Sequence, residues 1–338
     1  MKMAMLGAGE IIHDFLPVAK ELKGLELSAM FSTKRNIEEK ESLQSEYGIG
    51  RLYFDFDEML ETCDADCYYI ALPTNLHYKF TKKALEAGKN IILEKPCTSS
   101  LREFLVLKEL AVKNNLFMIE AITTLHMKNY LALKKCISRI GDIKLAEINF
   151  TKLSKSYGRF LAGEVTAAFS PELSSGALMD IGVYNIHLAV GLFGLPLSTK
   201  YYATFEKGTD TNGVMLLKYK GFYCVLVIAK DCGAAIPSSI QGSLGNIFIY
   251  DIPGIIGPFD LELRNNDRTH FDESDHPHRM FAEFTEFIRI IEQKDRPAML
   301  KHLDHSEKVM RVLDRAKESA GIIYPGDKEF DAEMIASE

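Results

Sequence analysis

Over the first 120 residues, short apolar runs alternate with amphipathic stretches. That alternation restricts the chain to repeated strand–helix–strand units built on a parallel sheet. The runs are Lys2 to Leu6, Glu26 to Phe31, a short Leu52 to Phe54, Cys67 to Leu72, Asn90 to Leu93 and Phe117 to Glu120. Between them, Thr81 to Ala87 has helical spacing and stops at Gly88, and Leu101 to Asn114 follows the capping candidates Ser99 and Ser100. This half is predicted to be doubly wound α/β.

Beyond about residue 125 the pattern changes. One long helix is expected around Pro171 to Phe193. Strand-like runs follow at Tyr201 to Phe205, Val214 to Tyr219, Phe222 to Ala229, Ile247 to Tyr250 and Leu261 to Leu263. Lys220-Gly221 joins two of them at hairpin spacing, which predicts an open, mostly antiparallel sheet in a separate α+β domain. Two helices close the chain, Pro277 to Glu292 and Asp304 to Ala320. The second is expected to open on the capping-box pattern Asp304-x-x-Glu307 and to end at Gly321. The expected domains are therefore 1–122 and 123–338.

Composition removes several classes of function. Forty basic against forty-seven acidic side chains give a net charge of −7 with no long basic run, so no nucleic-acid partner is expected. Apolar runs such as Cys224 to Ala229 are far shorter than the ~20 residues of a membrane helix, so no membrane partner is expected either. Met1 runs straight into Ala4–Gly7 with Glu10 close behind, unlike a signal peptide, which makes cytoplasmic residence the expectation. Cys63, Cys67, Cys97, Cys136, Cys224 and Cys232 contain no C-x-x-C pair and no His at ligand spacing. They are expected to be reduced thiols, with neither a metal site nor a disulfide framework.

Three features carry chemistry. Gly7-Ala8-Gly9 follows the first strand and precedes a helix, where a glycine turn lets backbone N–H groups approach a pyrophosphate. Ile12 stands where the third glycine of that pattern is usual. The second strand lacks the acidic residue that would bind a ribose 2′-hydroxyl. It runs instead into Ser32-Thr33-Lys34-Arg35, with Glu38 the next acid, which favours NADP over NAD; a solvated basic turn beside Glu38 to Glu41 is the alternative.

The fifth strand ends in Glu94-Lys95-Pro96 at the carboxyl edge where open α/β sheets bind ligands, so Lys95 is expected to face a cleft rather than form a surface pair with Glu94. On the later helix, Asp180, Tyr184 and His187 share one side at i, i+4 and i+7. Such a set either lines a cleft or forms a satisfied core network.

Together these residues resemble the glucose-fructose oxidoreductase, inositol dehydrogenase and rhizopine-catabolism family, written Gfo/Idh/MocA. The resemblance spans nearly the whole chain. It rests on the Gly7-Ala8-Gly9 turn, the fourth-strand loop Pro73-Thr74-Asn75-Leu76-His77, Glu94-Lys95-Pro96, and Gly176-Ala177-Leu178-Met179-Asp180-Ile181-Gly182-Val183-Tyr184. It implies a Rossmann domain carrying NAD or NADP, and a second domain whose sheet joins a homodimer or homotetramer. The cofactor residues then comprise Gly7, Gly9, Glu10, Ile11, Ser32, Thr33, Lys34, Leu72, Pro73, Thr74, Asn75, His77, Glu94 and Lys95. Lys95 matches the family's active-site lysine and Asp180 the carboxylate that positions it or the substrate. Tyr184 stands where inositol-dehydrogenase-like members carry histidine and the glucose-fructose and dihydrodiol branch carries tyrosine. Leu125-His126-Met127-Lys128 departs from the Arg-Phe-His-Pro stretch of many members.

The expected activity is NAD(P)-dependent hydride transfer at a CH–OH or C=O group of a sugar, polyol or related small molecule. A lysine ammonium within hydrogen-bonding range favours phenolate, so Tyr184 would move the proton, Lys95 would hold the substrate oxygen and Asp180 would orient Lys95. His187 is an alternative proton carrier or a structural histidine, and His77 shapes the nicotinamide pocket. Lys152, Lys155, Tyr157 and Arg159 are either polyol contacts or an exposed basic loop. A non-catalytic NAD(P) sensor and an NAD-dependent glycosidase are the competing functions.

Overall fold

The structure is a computed structural model that describes residues 1–327, so positions 328–338 of the expected second domain lie outside the described residues. Two compact units are formed. The first comprises Met1–Thr98, Arg102–Ala121 and Met280–Asp304; the second, among the described residues, comprises Ser99–Leu101, Ile122–Arg279 and 305–327.

The first unit carries strands β1 (Lys2–Leu6), β2 (Glu26–Phe31), β3 (Arg51–Tyr53), β4 (Cys67–Ile70), β5 (Asn90–Glu94) and β6 (Met118–Ala121). They are all parallel, in the order β3-β2-β1-β4-β5-β6. Helices α1 (Glu10–Ala19), α2 (Ile37–Tyr47), α3 (Phe56–Thr62), α4 (Thr74–Glu86) and α5 (Leu101–Lys113) alternate with them. Met3 to Leu6, Tyr68 to Ile70 and Ile91 to Leu93 are fully buried, which explains why these strands read as unbroken apolar runs. The expected loop over Pro73–His77 is instead the start of α4. Pro73 sits at its N-cap and its carbonyl accepts from Leu76 N at 2.9 Å, so the helix opens seven residues before the periodic stretch at Thr81.

The second unit is built on eight strands: β7 (Ile143–Thr151), β8 (Ser198–Glu206), β9 (Thr209–Lys218), β10 (Tyr223–Ala229), β11 (Ser238–Gly242), β12 (Gly245–Ile249), β13 (Phe259–Leu263) and β14 (Arg268–Phe271). Their order is β14-β13-β12-β11-β7-β10-β9-β8, and only β7 with β10 is a parallel pair. Helices α6 (Lys128–Cys136), α7 (Tyr157–Leu161) and α8 (Val183–Phe193) accompany them. β7, β11 and β14 escape the strand pattern because polar residues interrupt them, as in the SSIQG of β11.

The single helix expected over Pro171–Phe193 is broken. A 3₁₀ turn at Pro171–Leu173 is followed by Ser174 at φ +55° and Gly176 at φ +148°, then a π-helical turn at Leu178–Gly182, and only then α8. By length and hydropathy this segment could cross a membrane, which corrects the view that no stretch is long enough. Yet 72% of its most apolar window is buried inside the protein, as befits a core helix. Asn185 ties α8 to the sheet by donating to the Val227 carbonyl of β10 at 3.1 Å.

The chain returns to the first unit through α9 (Phe281–Glu292) and the start of α10 (Arg296–Ala320). This departs from the expected division at residue 122. Its cause is aromatic packing: Phe284 lies 4.3 Å from Phe15 and 5.1 Å from Tyr69, ring centre to ring centre. α10 also opens earlier than expected, because Asp295 Oδ1 accepts from Ala298 N at 3.1 Å and caps it there. Asp304-x-x-Glu307 therefore lies within the helix.

Candidate active site

In the first unit, β1 hands over to α1 at the point where the strand order reverses, the position at which open α/β sheets bind ligands. Gly7 has φ +117°, and a Cβ there would overlap the Ala71 carbonyl oxygen at the end of β4. Only glycine lets these two backbones close up. A Cβ at Gly9 would meet nothing within 4 Å, and Gly9 caps α1, in whose first turn Glu10 is exposed and Ile11 half-buried. Ile12 is fully buried, so a core side chain replaces the usual third glycine.

At the end of β2, Ser32 is buried and donates its backbone N–H to Tyr53 O at 3.0 Å, while Thr33, Lys34 and Arg35 are exposed. Lys34 Nζ lies 5.9 Å from the centre of the Phe54 ring. The buried Lys40 ammonium donates to the Arg35 carbonyl and holds this turn from behind.

Past β4, Leu72, Thr74 and Asn75 are partly exposed and Pro73 exposed. His77 is buried beneath them, with Nε2 2.7 Å from Leu72 O and Nδ1 3.0 Å from Pro96 O and 3.2 Å from Cys97 O. Burial, assisted by the Lys95 charge, holds its pKa below the ordinary imidazole value despite those carbonyls. His77 thereby staples the β4 loop to the β5 loop. At the end of β5, Glu94 accepts from Tyr69 OH at 2.5 Å and from Lys95 N at 3.2 Å, while Lys95 itself is partly exposed before a cis Pro96.

In the second unit, Asp180 lies in the π-helical turn and Tyr184 and His187 in α8, at decreasing exposure: 37% for the Asp180 side chain, 8% for Tyr184 and none for His187. π turns recur at functional sites because they re-aim side chains within a helix. Gly254 lies against the Tyr184 ring, leaving only 3.3 Å between a built Cβ and Cδ1 or Cε1. Its carbonyl accepts from Thr123 Oγ1 at 2.9 Å, and the neighbouring Pro253 carbonyl accepts from Thr124 Oγ1 at 2.7 Å. His187 Nδ1 lies 3.0 Å from His305 Nε2 in a stacked pair. Tyr157 donates to Glu206 and Arg159 pairs with Glu164, so those two members of the basic loop hold neighbouring acids.

Sequence reasoning missed Lys230. It follows β10, is almost completely buried, and pairs with Asp180. The signal was available: a lysine directly after an apolar strand is the pattern that singled out Lys95. Gly254 and Asp210 carried no local signal. Among the described residues there is no group of metal-ligating side chains, and Cys63, Cys67, Cys97, Cys136, Cys224 and Cys232 are free thiols.

Two family models match: the oxidoreductase family with an NAD-binding Rossmann fold over residues 1–121, and the GFO/IDH/MocA C-terminal domain over residues 130–248. The chain is 31% identical to scyllo-inositol 2-dehydrogenase (NADP(+)) IolU of Bacillus subtilis over 97% of this chain and 99% of that one. It belongs to the Gfo/Idh/MocA oxidoreductase family. The chain is also 24% identical to a trans-1,2-dihydrobenzene-1,2-diol dehydrogenase of Danio rerio, over 97% of this chain and 99% of that one. Among solved structures, a 3-ketoreductase of Actinomadura kijaniata in complex with NADP and TDP-benzene superposes with a TM-score of 0.82. It is 21% identical and covers 95% of this chain and 98% of its own, a likeness of fold.

The Gfo/Idh/MocA assignment makes the chain a member of a family of NAD(P)-dependent oxidoreductases. The residues present fit a dinucleotide. Gly7 makes the close backbone turn, Gly9 leaves open space at the helix N-terminus, and the Asn75 side-chain oxygen is buried with no hydrogen-bond partner, ready for a ribose or amide donor.

Proposed function

We propose that this protein is an NADP-dependent dehydrogenase or reductase acting on a CH–OH or C=O group of a cyclic polyol or sugar, with Lys95, Tyr184 and Asp180 as its working groups. The observation that carries the proposal is the placement of Asp180 and Tyr184 on successive turns, an open carboxylate above a nearly buried phenol, in a chain whose β5 ends in a partly exposed lysine. The name of the Bacillus subtilis relative supports scyllo-inositol and NADP as the first pair to test.

Gly7, Gly9, Glu10 and Ile11 would hold the pyrophosphate; Ser32, Thr33 and Lys34, with Arg35, the adenosine 2′-phosphate; and Leu72, Pro73, Thr74, Asn75, His77 and Glu94 the nicotinamide end. A 2′-phosphate is better matched by two exposed cations and hydroxyls than a free 2′-hydroxyl, which wants an acid at the end of β2. When bound, NADP supplies the two-electron acceptor or donor. The chain's residues manage the proton and the oxygen. In oxidation the substrate hydroxyl proton passes to the Tyr184 oxygen, and in reduction the phenol returns it. Lys95 donates to the substrate oxygen, where negative charge develops. Asp180 positions the substrate, and His187, buried against His305, supports the helix face.

Replacing Lys95 by Met or Tyr184 by Phe is expected to lower turnover of scyllo-inositol by about 10² to 10⁴ while NADP binding persists. Full turnover in either variant refutes its role. Tight NADP binding by the unsubstituted chain, with no turnover across a panel of inositols and aldoses, would favour a sensor instead.

The far face of the second sheet supports a homodimer or homotetramer. Tyr202, with Val214 beside it, and Tyr223, with Leu145 beside it, expose an apolar surface on neighbouring strands. Sedimentation of the purified chain tests this, and a monomer at all concentrations refutes it.

A further inference from the structure

We infer that Lys230 is a positioning residue for Asp180, fixing that carboxylate from beneath; the inference rests on the role given to Asp180 above. Lys230 Nζ lies 2.5 Å from Asp180 Oδ2, yet the two side chains are unequally placed, 3% of the lysine being exposed against 37% of the aspartate. The ammonium is sealed and the carboxylate is its open end. Lys230 also donates to Ala168 O at 2.5 Å and lies 4.4 Å from the centre of the Phe169 ring. Phe169 O in turn accepts from Thr209 Oγ1 at 2.9 Å, and the Lys230 backbone N–H donates to Thr211 O at 2.8 Å. The lysine therefore has its backbone locked to β9 and its cation held by a carbonyl and an aromatic face.

A buried cation is costly unless paired, and here the pairing makes the orientation of Asp180 part of the cost of opening the core. This pair leaves the acceptor reachable, at the residue where the backbone takes its π turn. Gly182, in that turn, approaches Ile228 of β10 so closely that a Cβ would lie 2.9 Å from its Cδ1, so the turn packs directly on the strand that Lys230 follows. Carboxylates that must aim a neighbouring group are held this way in preorganised sites.

The test is a double-mutant cycle on the full chain with scyllo-inositol and NADP, using K230Q, D180N and the double variant. K230Q keeps a donor for Ala168 O and removes the charge. We expect K230Q to lower kcat about 10- to 100-fold, with the scyllo-inositol KM and the NADPH Kd from fluorescence titration changed less than twofold. In the D180N background the same change should cost less than twofold, because the carboxylate it positions is gone. A K230Q kcat within twofold of the parent, or an equal loss in both backgrounds, overturns the inference. If K230Q gives no cooperative melt, K230M replaces it in the cycle, and failure of both to fold overturns it in favour of a structural strut. D180N at the parental rate, or no turnover by the parent, sinks instead the hydride-transfer assignment on which the inference rests.

Discussion

Gly176 faces Asp210 so closely that a Cβ on the glycine would overlap the carboxylate oxygen, and its φ of +148° is one that other residues avoid. Asp210 uses this proximity to accept from Leu178 N at 2.7 Å and from Tyr201 OH at 3.1 Å, which anchors the first residue of the π turn to the sheet. Gly176→Ala should therefore cost more than conformational strain alone. Gly163, at φ +91° with nothing within 4 Å, supplies the comparison. We expect Gly163→Ala to cost about 1 kcal/mol and Gly176→Ala about 3 kcal/mol or more in urea denaturation. Equal costs would show that the Asp210 approach is unimportant.

Asp210 should leave a mark on stability against pH. Burial pushes its carboxyl up to about 7, against the bonds from Leu178 N and Tyr201 OH and the nearby Lys230 charge, which pull it down. Between the ordinary carboxyl value and pH 7 the folded chain binds a proton that the unfolded chain has released, so this group's contribution falls as pH rises through that window and is flat above it. The stability difference between the parent and Asp210→Asn, measured by urea denaturation at pH 5, 6, 7 and 8, should move against the parent from pH 5 to 7 and then level off. A difference independent of pH would place the carboxyl at its ordinary value.

Two glycines of one turn should fail in different ways. Gly7→Ala collides with Ala71 and strains the backbone, so we expect a lower melting temperature without ligand as well as loss of NADP binding. Gly9→Ala meets open space, so the melting temperature should hold while the NADP Kd rises about tenfold or more, since a methyl would stand where the phosphates approach. Thermal melts with and without NADP separate the two.

Lys34 and Arg35 should decide between cofactors. Replacing both by alanine removes exposed cations that carry little of the fold, and the NADP Kd should rise about 10- to 100-fold while the NAD Kd changes little. Equal effects on both cofactors would assign the turn to the shared pyrophosphate or to solvent.

The first sheet was legible because its central strands β1, β4 and β5 are buried on both faces and read as unbroken apolar runs, and β1 and β2 fall on the residues that the pattern predicts. The second sheet was legible only where alternation is clean. The hairpin of β9 and β10 was visible in Val214 to Ala229, while β11, with one large apolar residue in SSIQG, was not. Periodicity found the 171–193 segment but not its break, because Leu178 to Gly182 keeps an apolar composition while its backbone changes pitch. Gly7, Asp180 and Tyr184 announce themselves through motif and spacing. Lys230 is marked only by its place after an apolar run, and Gly254 not at all; both come to the Asp180–Tyr184 face from positions remote in sequence, an approach that no local pattern records.

The packing of Phe284 on Phe15 and Tyr69 has a consequence for synthesis. Phe15 and Tyr69 are made early, yet the ring that packs on both emerges from the ribosome only after the whole eight-stranded sheet has been translated. The dinucleotide-binding half is thus begun first and finished nearly last, and a fragment cut at residue 122 would leave Phe15 and Tyr69 open to water.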